Sequence, residues 1–592
     1  MTFLHSWRRL AAAAAIATLA SCAAPASHVA GASVAGEPVT VGIVAINDFH
    51  GALEPPKAFV PAPDGDGGTV PVPAGGAAWL ASAIDAVRNR YPNHLTVSAG
   101  DLISASQLAS SIYLDEPAIG VANRIGLDFN AVGNHEFDRG RDELLRMQRG
   151  GCAQHTSRKP CQIERFAGAK FRFLAASTLT ENGGTLFPAT ALKSFGSGSR
   201  KVTIGLIGLT LRGTPQLVSP DGIRGLRFAD ETDTINALVP KLRAKGADAV
   251  VVLIHQGGAQ NGGNDPNACV NLTGEIRPIL DRLRPGVDVV VSGHTHKAYV
   301  CDYGTINPAE PILLTSAGVY GELVTDIRLE IDPATHRVVA RQAHNVIVQS
   351  VPFTSARGPI ATTTAYPQFQ PRPDIAAYVR TYTDAAARFA RRKVGTLAGP
   401  ASKGVDGESN RGGPLGNLVA DAQLAATRSA GAQIALTNPF GIRAPLVPAA
   451  DGTLTFGDIF AVQPFTNALV TETLSGAALK AVLEQGLDGH AARQLLAPSA
   501  GFVYRFDGAR PAGQRIVGMS LDGKPIDPAA RYRVTVNSFL ASGGDGFTGF
   551  THGHDAAIAA LDDLGALEAW LNAAPPRIVP QEERVVEVRP TA

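Results

Sequence analysis

The stretch Val39-Thr40-Val41-Gly42-Ile43-Val44-Ala45-Ile46-Asn47-Asp48-Phe49-His50 runs from an apolar, β-branched segment straight into a carboxylate and an imidazole. Such a run reads as a buried strand. The same pattern returns four times. Strand candidates at 95–98, 130–132, 249–254 and 287–292 lead into Ala99-Gly100-Asp101, Gly133-Asn134-His135-Glu136-Phe137-Asp138, His255-Gln256-Gly257-Gly258 and Gly293-His294-Thr295-His296. A further strand candidate lies at 202–208, and helical patterns at 77–90, 116–124 and 276–283 fall between the strands. That alternation predicts layered α/β structure over 38–350. In open α/β sheets ligands gather at the carboxyl ends of strands, so five such ends can converge on one site.

The residues at those ends suit a metal. Asp48 and His50, like His294 and His296, stand two apart and on an extended segment would point to one side. Glycines before Asp101, Asn134 and His294 let the backbone approach an ion closely. Mixed carboxylate and imidazole donors suit Zn, Mn, Co or Fe and do not suit an all-oxygen Ca or Mg cage. Any one piece has a bland reading as a surface coincidence or a turn. Five in order, each at a strand end, do not.

At 592 residues the chain exceeds a single core, and two large domains are expected. A formal net charge of +1 provides no global field for nucleic acid or an anionic membrane, so an anionic substrate has to be attracted locally. No segment marks a protein partner. Residues 1–22 read as a targeting segment: Arg8 and Arg9, a short apolar run, then Leu19-Ala20-Ser21-Cys22. That ending resembles a bacterial lipoprotein signal, which makes Cys22 the lipidated N-terminus and 23–37 a flexible tether. The alternative is an ordinary secretory signal cleaved near Ala24 to Ala26. Either reading predicts an exported protein, and the first a periplasmic or cell-surface lipoprotein held to the membrane by lipid. Of five cysteines, four remain after Cys22. In an oxidising compartment they are expected to pair, Cys152 with Cys161 and Cys269 with Cys301, each within one loop region; buried free thiols are the alternative.

Residues 351–373 are dense in Pro, Thr and Ala, and 374–392 read as a helix with Ile375, Tyr378, Tyr382, Ala385 and Phe389 on one face. Together 351–392 form a linker and connecting helix. A second α/β unit is expected over 393–592.

The series Asp48-x-His50, Gly100-Asp101, Gly133-Asn134-His135-Glu136, His255 and Gly293-His294-Thr295-His296 resembles the calcineurin-type metallophosphoesterases. Gly-Asn-His-Glu-Phe-Asp at 133–138 is similar to their 5′-nucleotidase and UDP-sugar hydrolase branch, and the resemblance extends from about residue 39 to 570. It implies an N-terminal αββα sandwich followed by an α/β nucleotide-binding domain. It implies two divalent ions bridged by Asp101, one completed by Asp48, His50 and His296, the other by Asn134, His255 and His294. His135 would stabilise the transition state or protonate the leaving alkoxide, and Asp138 would orient it. Glu136 reads as a structural hydrogen-bonding residue. Such a centre activates water and clamps phosphoryl oxygens, while the protein supplies mainly positioning and charge.

In the second unit, Thr437-Asn438-Pro439-Phe440-Gly441-Ile442-Arg443 is similar to a glycine-rich family loop, which nominates Asn438 and Arg443 as substrate contacts. Pro439 and Phe440 replace two of its glycines. Gln463-Pro464-Phe465 and the segment from Phe539 to Phe547 resemble those whose phenylalanines sandwich a nucleobase, nominating Phe465 and Phe539, with Asp545 on the sugar and Phe547 in the core. Arg411, in a segment with extra residues, is the local candidate for a further phosphate contact. The resemblance thus implies hydrolysis of nucleoside 5′-monophosphates, with UDP-sugars, 2′,3′-cyclic nucleotides or a thiosulfohydrolase-like reaction as alternatives. A surface protein that binds nucleotides without turning them over is the non-enzymatic reading. Domain closure is expected to hinge at the connecting helix.

Overall fold

The structure is a computed structural model and describes residues 37–588 apart from 157, 356–357, 404–410, 488–493 and 574–575. The signal segment 1–22 with Cys22, and the tether through residue 36, lie outside the described residues. In chain order the N-terminal half supplies β1 (Val39–Ile46), β2 (His94–Ser98), β3 (Phe129–Ala131), β4 (Arg172–Leu174), β5 (Thr190–Phe195), β6 (Val202–Thr210), β7 (Ala249–His255), β8 (Val289–Ser292), β9 (Ala298–Asp302), β10 (Leu313–Ala317), β11 (Leu323–Asp332) and β12 (Arg337–Ile347). They form two six-stranded sheets, ordered β12-β11-β1-β2-β3-β4 and β9-β10-β8-β7-β6-β5.

Within each sheet the strands that carry the polar residues run parallel, and β11 joins β1 antiparallel. β1, β2, β3 and β4 run parallel in the first sheet, and β6, β7, β8 and β10 in the second. Alternation along each strand then sorts the side chains. Val41, Ile43 and Ala45 of β1, with Leu95 and Val97 of β2, meet Val251 and Leu253 of β7 between the sheets. Val44 and Ile46 face the other way, onto the helices α1 (Ala77–Arg88) and α2 (Glu116–Ile125). Val250, Val252 and Ile254 of β7 pack outward on α3 (Glu231–Ala244) and α4 (Ile276–Leu280). The result is an αββα sandwich. Disulfides join Cys152 to Cys161 and Cys269 to Cys301.

The connecting helix differs from the sequence expectation. α5 (Pro373–Ala390) buries Ile375, Val379, Tyr382 and Ala386, and these belong to the same core as α1 and α2. The buried stripe follows i, i+4, i+7, i+11, which leaves Phe389 43% exposed beneath the Arg388 guanidinium. The helix is therefore part of the N-terminal core. Just beyond it, Arg392 is already held by the C-terminal half, through an ion pair with Glu568 and by lying over the Phe456 ring.

After α6 (Gly413–Thr427), the C-terminal half builds a five-stranded sheet that includes Ile434–Thr437, Ala468–Ser475 and Arg531–Asn537, and a four-stranded sheet around Phe502–Phe506. Among the described residues no helix is long and apolar enough to cross a membrane. Because Ile375 is fully buried beside α1 and α2, Ile375→Ala should lower the stability of the N-terminal domain by about 2–5 kcal/mol, read as an earlier urea transition with the C-terminal transition unmoved.

Candidate metal centre and the cleft above it

Five strand ends meet where the two sheets present their carboxyl edges. β1 delivers Asp48 and His50, β2 Asp101, β3 Asn134, β7 its last residue His255, and β8 His294 and His296. The backbone there is not extended. Asp48, His50, Asp101, His294 and His296 all have left-handed φ, at 49°, 47°, 49°, 71° and 58°. The two-residue spacing therefore works through tight left-handed turns and not through a strand's alternation. Such conformations cost of order 1–3 kcal/mol each for residues with a Cβ and persist where the surroundings hold them.

The donor atoms gather in two groups. Those of Asp48, His50 and His296 lie within 4.8 Å of one another, and so do those of Asp101, His255 and His294. Asp101 faces both groups: its Oδ2 is 2.9 Å from His255 Nε2 and 3.8 Å from His50 Nε2. Asn134 Oδ1 is 3.1 Å from His255 Nε2. His50 and His255 turn Nδ1 to the carbonyl oxygens of Ser104 and Ala99, at 2.9 and 2.8 Å, which aims both Nε2 atoms inward.

These residues fit a pair of cations. Burial holds His50 and His294 down at about 3, in the neutral form that ligates metal. Burial pushes Asp48 up to about 7, and the adjacent Asp101 pushes the same way. Against burial, Asp101, Asp48 and Glu136 raise His255 to about 10, which marks the point as one that favours positive charge. His50 Nε2 and His296 Nε2 lie 3.2 Å apart, a spacing that one N–H···N hydrogen bond or one shared cation satisfies.

The 133–138 turn is fixed from below. Glu136 accepts hydrogen bonds from the backbone N–H groups of Gly133, Asp101 and Leu102 at 2.6, 3.0 and 2.8 Å. That is a structural role, as the sequence suggests. His135 donates its backbone N–H to Asp101 Oδ1 at 2.9 Å, and its Nδ1 lies 2.8 Å from Asp138 Oδ2. Burial works against the charged ring, yet Asp138 and Asp101 together raise His135 above the usual imidazole range.

Side chains of the C-terminal half close over this centre. The Phe465 ring stacks on His135 with centroids 5.7 Å apart and planes 16° from parallel. The Arg443 guanidinium lies 6.0 Å from the Phe465 centroid, and its Nη2 is buried with no hydrogen-bond partner among the described residues. Asp545 is nine-tenths buried, and burial pushes it up to about 6. Asn438 Nδ2 donates to Asp545 at 2.7 Å while Asn438 Oδ1 accepts from Asn537 at 3.0 Å. The Asn438 amide thus supports Asp545. Phe539 is half-buried against Gly544, where an added Cβ would sit 2.6 Å from the ring. Phe547 is fully buried in the core.

These features now meet the comparisons with known proteins. Residues 42–298 match the calcineurin-like phosphoesterase family, and residues 393–552 match the C-terminal domain of 5′-nucleotidases. The crystal structure of a 5′-nucleotidase precursor from Thermus thermophilus superposes with a TM-score of 0.73 at 27% identity, covering 93% of this chain and 99% of that one. The chain belongs to the 5′-nucleotidase family of calcineurin-like, metal-dependent phosphoester hydrolases. The NAD 5′-nucleotidase of Haemophilus influenzae is 24% identical over 566 residues, 86% of each chain. Endonuclease YhcR of Bacillus subtilis is 30% identical over 511 residues, 86% of this chain, but the chain spans only 37% of that protein's length.

Three placements differ from what the family pattern suggests or carry little signal in the sequence. Arg411 is not brought to the centre: its guanidinium pairs with Glu587 and Glu583 and lies 5.2 Å from the Phe506 ring centroid. The neighbouring 408–410 of its segment lie outside the described residues. Lys403 does come to the cleft. Its Nζ donates to the Pro439 carbonyl at 3.4 Å, and burial, with Arg443 and Lys297 close by, lowers it to about 8. Tyr320 sets its ring 5.8 Å from His50 and 6.2 Å from His296, from a left-handed backbone between Gly318 and Gly321. The flanking glycines are the only signal for it in the sequence.

His135 sets its ring 5.2 Å from that of His50 and belongs to neither ligand group. His135→Ala should therefore lower turnover by about 10²–10⁴-fold while the metal content per chain stays at the wild-type value. Unchanged turnover in that variant contradicts the assignment.

Proposed function

We propose that the chain is an exported, lipid-anchored 5′-nucleotidase that converts nucleoside 5′-monophosphates to nucleoside and phosphate. The observation that carries this reading is the stacking of Phe465, from one half of the chain, on His135 of the other, with Arg443 beside Phe465. In this account Asp48, His50, Asp101, Asn134, His255, His294 and His296 hold two divalent ions, of Zn, Mn, Co or Fe. Ions so held would supply an acidified water and neutralise phosphoryl charge.

The remaining steps fall to the chain's own residues. Arg443, whose Nη2 is unpartnered among the described residues, binds phosphoryl oxygens with its guanidinium fork. His135, kept charged by Asp138, protonates the departing ribose oxygen. Phe465 and Phe539 stack the base, worth about 1–3 kcal/mol per base in comparable cases. Asp545, steadied by Asn438, accepts from the sugar. For a nucleotide to enter, Phe465 has to leave His135, which requires relative motion of the halves. With α5 built into the N-terminal core and Arg392 gripped by the other half, the pivot is assigned to residues 390–392, at the far end of the helix that the sequence suggests as the hinge. The sequence limits of 38–350 for the first domain are extended in this proposal to residue 390, because α5 packs into its core, with the second domain at 393–592; the proposed location is the periplasm or cell surface through lipid on Cys22. A relative named cell wall protein Lmo0130, from Listeria monocytogenes, supports a location outside the cytoplasm; it is 28% identical, and the chain spans 65% of it.

A second reading, hydrolysis of UDP-sugars, draws on Lys403; 2′,3′-cyclic nucleotides, the other alternative, carry one phosphoryl group and draw nothing from it. With Lys297, Lys403 places two more cations beside Arg443, which suits a second phosphoryl group. A sulfate thiohydrolase from the solved structures shares the fold at 17% identity, which supports nothing beyond fold.

A hydrolysis panel of AMP, UMP, UDP-glucose, 2′,3′-cyclic AMP and bis(p-nitrophenyl) phosphate, with Mn, Zn and Co added back, separates these readings. Phosphate release should be fastest from AMP or UMP, and Arg443→Ala should lower kcat/KM for that substrate about 10²–10³-fold. No release from either monophosphate overturns the nucleotidase proposal.

A further inference from the structure

His50 is aimed at the centre by a single bond from behind, between its Nδ1 and the Ser104 carbonyl oxygen. That carbonyl sits in unusual backbone, since Ser104 and Ala105 both have left-handed φ, at 65° and 46°. What holds it there is a buried ion pair. The Ser104 N–H donates to Asp115 Oδ2 at 3.1 Å, and Arg139 pairs with the same oxygen. Arg139 Nη1 donates to Ser104 Oγ at 3.2 Å and Nη2 to Ser111 Oγ at 3.1 Å, while Ser110 Oγ donates to Asp115 Oδ1 at 2.7 Å. Burial alone would raise the Asp115 carboxyl; Arg139 and the serine hydroxyls outweigh it and keep the carboxyl ionised.

The two partners come from the two loops that matter most. Arg139 directly follows Asp138, the partner of His135. Asp115 stands at the head of α2, itself in left-handed backbone at φ 59°. Its neighbour Glu116 accepts from the Cys161 N–H at 3.0 Å and pairs with Arg146 at 2.8 Å, which ties the same turn to the disulfide loop. Asp115 is completely buried, and a buried ion pair contributes little net stability over an apolar replacement, so its value lies in what it positions.

We propose that Asp115 and Arg139 are positioning residues for His50: by fixing the Ser104 carbonyl they set the tautomer and direction of the His50 ring, and so the affinity of the Asp48, His50 and His296 side for its ion. This rests on the two-ion reading above. Neither residue offers an atom to either ligand group.

The test compares Arg139→Gln, the charge-neutral pair Asp115→Asn with Arg139→Gln, and Arg139→Lys in the full chain. Mn binding is followed by calorimetry, dinuclear coupling by electron paramagnetic resonance, and folding by Tm. In folded Arg139→Gln and in the double variant, one of two Mn affinities should fall about 10–100-fold and the coupled signal should fade, with the other site unmoved. Arg139→Lys should recover part of the loss. Wild-type affinity at both sites in a folded double variant overturns the proposal. So does equal weakening of both sites, or failure of both variants to fold, since either makes the pair a general support. If the wild-type chain binds no Mn at all, it is the two-ion reading that fails.

Discussion

Two carboxylates and four imidazoles are driven into one small volume at the edge of a packed sandwich, and that charge problem organises the rest of the molecule. Burial alone would neutralise Asp48 and deprotonate His50 and His294. The inward-facing ring nitrogens and carboxylate oxygens converge in two groups whose donor sets suit cations. The parallel strands exist in this arrangement because their alternating side chains fill the layers on both sides, leaving the carboxyl ends as the place where loops can turn. The left-handed turns at Asp48, His50, Asp101, His294 and His296 then direct the donors to common points. Glu136, with three backbone N–H groups, locks the turn that presents Asn134 and His135.

A centre of this kind fixes the chemistry class and leaves substrate choice to whatever lies above it. Here that is the C-terminal half, which contributes a cation with an unpartnered nitrogen, an aromatic face and a buried carboxylate. The stacking of Phe465 on His135 shows how short the distance between the two contributions is. In the proposed account the halves separate to admit a ligand, with the bend placed beyond the docked α5.

Much of the fold is legible in the sequence because its signals are local. Apolar runs that end abruptly in Asp, His or Gly-Asp mark β1, β2, β7 and β8 to within a residue or two, and the helical stripe of α5 is clear. A stripe drawn through Ala385 and Phe389 in place of Val379 and Ala386 is one step off, because periodicity alone does not say which side meets the core. The donors of the centre are legible as residues, but the left-handed backbone that aims them is not, since nothing in Asp-Phe-His marks a positive φ. Contacts between distant residues are the least visible. Arg411 resembles a second phosphate contact by its place in a family segment, and the acidic residues 583 and 587 that capture it lie near the other end of the chain. Lys403, Tyr320 and the Asp115–Arg139 pair become apparent only when folding brings their partners beside them.

The account stands on two ions held at the meeting point of the five strand ends. Anomalous scattering from crystals grown with Mn tests this directly. The account predicts two peaks, one among Asp48, His50 and His296 and the other among Asn134, His255 and His294, with Asp101 between them. A single peak, or peaks away from these side chains, would contradict it.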